Sequence, residues 1–294
     1  MLKIKYISLL TCVLSMPIST FSQQVKDLLP EWTFTKGIEG PSFDKRGILY
    51  AVNFSDQGTI GAVDRSGKAS LYVRLPEGSV GNGIRFDKLE YMYVADYQKH
   101  NILKINPRTR EIVVFAHEPA MNQPNDIAIS PITGIIYASD PNWKESTGKL
   151  WMVDRMGGVH LLEENMGTTN GIEVSPDGKT LYVNESVSRI IWRYDITLDG
   201  GIENKRQFIK FEDFGMDGMR CDKWGNLFVT RHGKGTVVIL SPNGKLLKEI
   251  PMKGKLCSNI ALKTRGNKVE AFVTMADRGC FEYFRINYKE YGKE

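Results

Sequence analysis

The stretch NGIEVSPDGKTLYVNE (residues 170–185) holds two short alternating runs, Ile172–Val174 and Thr180–Val183, on either side of Ser-Pro-Asp-Gly. Alternating apolar and polar side chains mark half-buried strands, and Pro, Asp and Gly supply the turn between them. The spacing predicts a tight two-residue hairpin in which Asp177 and Gly178 take positive φ. Asn170-Gly171 stands just ahead of the first strand, and the hairpin does not need it.

The same grammar returns along the chain. It is found in EGPSFDKRGILYAVN from Glu39, NGIRFDKLEYMYVAD from Asn82 and NDIAISPITGIIYASD from Asn125. After Asn170 it comes again as DGMRCDKWGNLFVTR from Asp217 and, more weakly, NIALKTRGNKVEAFVT from Asn259. Successive spacings are 43, 43, 45, 47 and 42 residues. Each unit opens on a carboxylate or amide, then runs strand, turn, strand. A third strand follows, such as residues 149–155, 189–195 or 235–240, and in most units a fourth. Four strands per repeat of this length, without helices, predict an all-β, six-bladed propeller of four-stranded blades. The sixth unit is one strand short. EWTFTK (31–36) is spare and is expected to close the ring as the outer strand of that blade, leaving no free edge.

Residues 1–22 stand apart. Lys3 and Lys5 precede an apolar run from Ile7 to Ile18, then small and polar residues, the layout of a secretory signal peptide cut at Ser22–Gln23. Leu-Leu-Thr-Cys around Cys12 is a poor lipid-attachment motif, so export to the periplasm or medium is expected, not anchoring. Residues 23–294 are expected to form one domain, and a monomer is expected. Losing Lys3 and Lys5 lowers the net charge from +5 to about +3, with basic residues scattered, which argues against nucleic acid as a partner. No run of ~20 apolar residues suits a membrane span. Cys221, Cys257 and Cys280 lack zinc-ribbon spacing; buried thiols are preferred over a Cys257–Cys280 disulfide.

In a propeller the innermost strand of each blade lines a central channel, so Glu39, Asn82, Asn125, Asn170, Asp217 and Asn259 converge at one rim. The loops after the second strands, carrying Asp56, Asp96-Tyr97, Asp140–Trp143, Glu185, Arg231-His232 and Met275-Ala276, are expected to border the same mouth. Carboxylates held close repel unless a cation joins them. Hard oxygen donors without clustered Cys or His suit Ca²⁺, Mg²⁺ or Mn²⁺ better than structural zinc. Turn chemistry explains Asn82 and Asn259 as well as any role does. Glu39 is not a turn residue, and Asn170 and Asp217 share its register. No nucleophile elbow, phosphate loop, Rossmann fingerprint or His-Glu-x-x-His occurs.

EGPSFD, PNDIAIS with YASDP, NGIEVSPDGKTLYV and MDGMRCDKWGNLFV resemble, in order and spacing, the signature segments of the gluconolactonase and senescence-marker-protein (regucalcin) family over residues ~30–287. The resemblance implies one divalent cation, Ca²⁺ favoured with Mg²⁺, Mn²⁺ or Zn²⁺ as alternatives, held by Glu39, Asn125, Asn170 and Asp217. It implies hydrolysis of a small-molecule lactone, with Asp217 as general base or, in a phosphotriesterase-like variant, nucleophile. Asn82, Asn125 and His232 would contact substrate. Animal sugar-lactonase members carry Arg where this chain has Gln123, which argues against an aldonolactone held in that mode. Asp126 and Asp140 are left unassigned as flanks of a second ion. The alternatives are a phosphotriesterase or arylesterase-like hydrolase, and a non-catalytic binding propeller with a structural channel ion.

Overall fold

The computed structural model describes residues 24–288, so the expected signal peptide, its cut and Cys12 lie outside the described residues. Six four-stranded antiparallel sheets follow one another along the chain, and no α-helix interrupts them among the described residues. Their innermost strands are Phe34–Phe43, Gly81–Phe86, Ile127–Ile129, Thr169–Val174, Met219–Cys221 and Cys257–Arg265. This is the six-bladed propeller that the repeat predicts. No described helix is long and apolar enough to cross a membrane.

The apolar residues of the repeats pack between blades. Tyr50, Val52 and Ile60 of the first blade meet Ile84, Met92 and Val94 of the second, and five equivalent clusters complete the circle. Second strands such as Met92–Asp96 and Leu227–Arg231 are buried along their whole length because both sheet faces are covered. The hairpin at 175–179 is longer than the two-residue turn expected. Gly178 N donates to Ser175 O at 2.8 Å, and Gly178 has φ +72° while Asp177 keeps a negative φ. Asp177 instead accepts from Ser175 Oγ at 2.5 Å.

The ring closes by an N-terminal strand, but not the expected one. Phe34–Lys36 continue the innermost strand of the first blade, which runs from Phe34 to Phe43. The outer strand of the sixth blade is Lys26–Asp27, paired with Glu282 and Tyr283. Two residues suffice because side chains lock the seam: Arg278 pairs with Asp27 at 2.7 Å, Glu31 at 2.6 Å and the buried Glu282. Arg278→Ala strips Glu282 of its only cation among the described residues and is expected to cost about 2–4 kcal/mol by urea unfolding. A loss under half a kcal/mol would leave the seam to backbone bonds alone. Cys257 and Cys280 stay reduced, since both face Met275 from opposite sides, two strand spacings apart and beyond disulfide reach.

Candidate active site at the channel mouth

At one end of the channel a cavity of about 720 Å³ is lined by Glu39, Asn82, Asn125, Asn170, Asp217 and His232, all six of the expected site residues. Backbone irregularity lets them meet. In the second, fourth and sixth blades the register slips between Gly81 and Ile84, Thr169 and Ile172, and Cys257 and Ile260. Such bulges re-aim side chains, and here they turn two successive residues toward the axis.

That slip corrects the sixth repeat. By register, Ser258 stands where Asn82 and Asn170 stand, and Asn259 occupies the position of Gly83 and Gly171. Ser258 lines the cavity and Asn259 lies one layer deeper. The glycine that follows Glu39, Asn82, Asn170 and Asp217 now has a cause, close approach of the next blade. A Cβ on Gly171 would fall 2.2 Å from Asp217 O, and one on Gly218 would fall 2.0 Å from the Asn259 side chain.

The second-strand ends also need correcting. Of the loops expected at the mouth, Tyr97, Trp143, His232 and Ala276 line the cavity, with Ser186 beside them, whereas Asp56, Asp96, Asp140, Glu185, Arg231 and Met275 do not. Asp96 accepts from Ser79 and Asn101, and Asp140 from Asn122 N, Gln123 N and Trp151 Nε1. Glu185 accepts from Trp192 and Ser188. Alternation along an extended chain sends one residue into the blade and the next toward the mouth. Asp126 and Asp140 therefore have separate protein partners and share no common ion site.

Glu39 and Asp217 are the only carboxylates on the cavity wall. Burial, then the charge of Asp126, pushes the Glu39 carboxyl up to about 7, against the Gly40 N–H, Asn259 and Arg220. Burial, then Glu39 and Asp126, raises Asp217 well above the usual carboxylate range, with the Asn170 amide opposing. Burial lowers His232, so its imidazole is neutral at pH 7. Asn170 Nδ2 donates to Ser186 Oγ at 3.0 Å, which commits the nitrogen; Asn170 Oδ1 is buried with no partner. Ser186 Oγ in turn donates to Met216 O at 2.6 Å, and Asn184 Nδ2 to Asp217 O at 2.5 Å.

Beneath this rim lies a layer that the sequence did not disclose. Arg85 Nη1 is 3.1 Å from Asp126 Oδ1, and Arg85 Nη2 is 3.5 Å from Glu173 Oε2. Arg220 Nη1 stands 3.7 Å from Glu173 and 3.9 Å from Asp126. Asn259 Nδ2 links the layers, donating to Glu39 Oε2 at 2.9 Å and Asp126 Oδ2 at 3.3 Å. Two arginines and two carboxylates balance in charge, so that layer offers Glu39 and Asp217 no surplus positive charge; Lys36 and Arg189 line the same cavity. A divalent cation matches the Glu39 and Asp217 carboxylates, and the orphaned Asn170 oxygen supplies a hard donor. The residues fit such an ion. Among the described residues no group of three or more His, Cys, Asp or Glu side chains is placed to hold a metal ion, the mouth included, where two of the four oxygen donors would be amides.

Comparison with known proteins bears on family and fold. The profile of the SMP-30/Gluconolactonase/LRE-like region matches residues 38–277. A gluconolactonase of Zymomonas mobilis is 32% identical over 190 residues, 56% of this chain and 52% of that protein, so the match spans about half its length. The diisopropyl-fluorophosphatase of Loligo vulgaris is 25% identical over 292 residues, covering 87% of this chain and 91% of that one. Among solved structures, a gluconolactonase from Xanthomonas campestris superposes with TM-score 0.75 at 20% identity, covering 89% of each chain. A calcium-binding regucalcin from Agrobacterium tumefaciens gives 0.77 at 20% identity, covering 90% of this chain and 94% of that one. At such identity these two likenesses carry the fold.

Proposed function

The chain belongs to the SMP-30/gluconolactonase/LRE-like family, and from that premise we propose that its channel mouth hydrolyses a lactone or related carboxylic ester with the help of one divalent cation. The observation that carries this reading is the buried, unpartnered Asn170 Oδ1 on the same cavity wall as the Glu39 and Asp217 carboxylates. Glu39, Asn125, Asn170 and Asp217 would hold the ion. When bound, it polarises the carbonyl and stabilises the developing oxyanion. Asp217 takes the proton of the attacking water, whose oxygen joins the carbonyl carbon. The ring C–O bond then breaks and its oxygen leaves as a hydroxyl, giving a hydroxy acid. Asn82 and the neutral His232 face the same space and contact substrate. Residues 1–22 support a further proposal, that the protein works outside the cytoplasm.

A second reading follows from the Loligo vulgaris relative, which covers most of this chain. In it the same mouth cleaves a phosphotriester: Asp217 attacks phosphorus, the P–O bond to the leaving alkoxide or aryloxide breaks, and water then hydrolyses the aspartyl phosphate to restore Asp217. A pH-stat assay over lactones, an aryl ester and a phosphotriester separates the readings. It is run after chelation and after return of Ca²⁺, Mg²⁺, Mn²⁺ or Zn²⁺. Turnover restored by a metal on lactones supports the first reading, and silence on every substrate makes the propeller a binding module.

Ion binding and pH are linked. The ordinary Glu39 value is 4.5, and folding raises it to about 7. In the metal-free protein the retained proton therefore contributes stability that is full below about 4.5 and lost as pH rises through about 7. A cation needs the ionised carboxylates, so its stabilising effect grows over that window. The rise in melting temperature on adding excess Ca²⁺ is expected to be several degrees larger at pH 8 than at pH 6. An equal rise at both would place the ion elsewhere.

A further inference from the structure

The upper walls of the cavity bear on the part of the substrate that does not react. On the side of the second and third blades, Trp143 Nε1 donates to Tyr97 Oη at 3.0 Å, and Tyr97 Oη donates to Gln123 Oε1 at 3.0 Å. With these polar groups engaged by each other, the wall presents ring faces, and Trp143 remains 40% exposed. Across the mouth Phe214 is 51% exposed with φ +38°, a backbone that a bulky residue adopts only when its surroundings impose it.

Arg231 imposes it. This side chain is 1% exposed, lies 3.8 Å over the Phe211 ring and pairs with the Asp213 carboxylate at 2.7 Å. It also donates to the carbonyl oxygens of Asp213, Phe214 and Gly215, the last two at 3.3 Å. Val187, 70% exposed, lines the same side. A buried arginine thus fixes a strained loop so that an aromatic ring stays in water at the lip of a polar cavity. Large apolar groups held at a pocket entrance mark where a ligand's apolar surface goes.

We propose that Phe214 and Val187 on one side and Trp143 and Tyr97 on the other clamp an apolar arm, and that the preferred substrate is a lactone bearing an alkyl or aryl substituent, not a polyhydroxylated one. The inference rests on the lactone-opening reading of the mouth. Water adds to the carbonyl carbon, the ring C–O bond breaks, and the arm stays on the hydroxy acid released.

The test compares kcat/KM for γ-butyrolactone, γ-decalactone, dihydrocoumarin and glucono-δ-lactone with the metal-loaded full chain. γ-Decalactone or dihydrocoumarin is expected to exceed both other lactones by about tenfold or more. Phe214→Ala and Trp143→Ala should each lower kcat/KM for γ-decalactone about tenfold, chiefly through KM, and several times more than for γ-butyrolactone. Trp143→Phe, which keeps a ring face, should restore most of the difference. Glucono-δ-lactone turned over as well as the arm-bearing lactones, or variants that slow all substrates equally, would overturn the clamp and leave the lactone reading standing. Failure of every lactone with every metal would overturn both.

Discussion

Asp217→Asn is expected to lose lactone turnover by about a thousandfold or more, the scale seen when a charged group at the reacting centre is neutralised. Asparagine fits the same space, keeps the backbone bonds of Asp217 N to Thr230 O and of Asn184 Nδ2 to Asp217 O, and so leaves the blades in place. It removes one of the two negative charges at the cavity wall and the group placed to take the water's proton. Divalent-ion affinity, read by calorimetry, should therefore fall with turnover. The variant also removes a buried carboxylate that Glu39 and Asp126 repel, so the metal-free protein should melt no lower than the parent. Turnover within tenfold of the parent would remove Asp217 from the chemistry and turn attention to His232 and Glu39, which line the same cavity.

The second large effect lies one layer down. Arg85→Met leaves Asp126 and Glu173 facing the channel with Arg220 as their remaining cation, at 3.9 and 3.7 Å. Removing one member of a buried ion pair costs about 3–5 kcal/mol because the other charge stays desolvated. Guanidinium unfolding should show that loss, and Arg85→Met combined with Glu173→Met should recover at least half of it, since the unpaired carboxylate goes as well. A single-variant cost below about 1 kcal/mol would mean that water reaches the layer and screens it.

What could be read from the chain divides along physical lines. The blade count and the rim residues were legible because each rim residue opens a repeat whose hydrophobic alternation fixes its register. Asn259 was misplaced by one because a β-bulge inserts its residue without leaving a mark in composition. Lys26–Asp27 was missed because two exposed residues carry no periodicity, and their hold comes from Arg278, far away in the chain. The charged layer was hidden for another reason. In RFD, EVS and RCD the polar side chain falls where alternation predicts solvent, yet in a closed ring that direction is the channel, and Arg85, Glu173 and Arg220 meet there. Phe214 gave no signal at all, since its place depends on a bond from Arg231 across seventeen positions.

The seam at Arg278 has a consequence for the architecture as a whole. Five sheets are each made from one unbroken length of chain, and only the sixth borrows from the other end, across 251 positions. The ring itself thus has no first blade. Circular permutation, with the present ends joined and new ones opened in a loop away from the mouth, would move the borrowed strand to another sheet and leave the six-fold arrangement of rim residues untouched. Which sheet carries the borrowed strand is thus separate from how the circle presents its channel mouth.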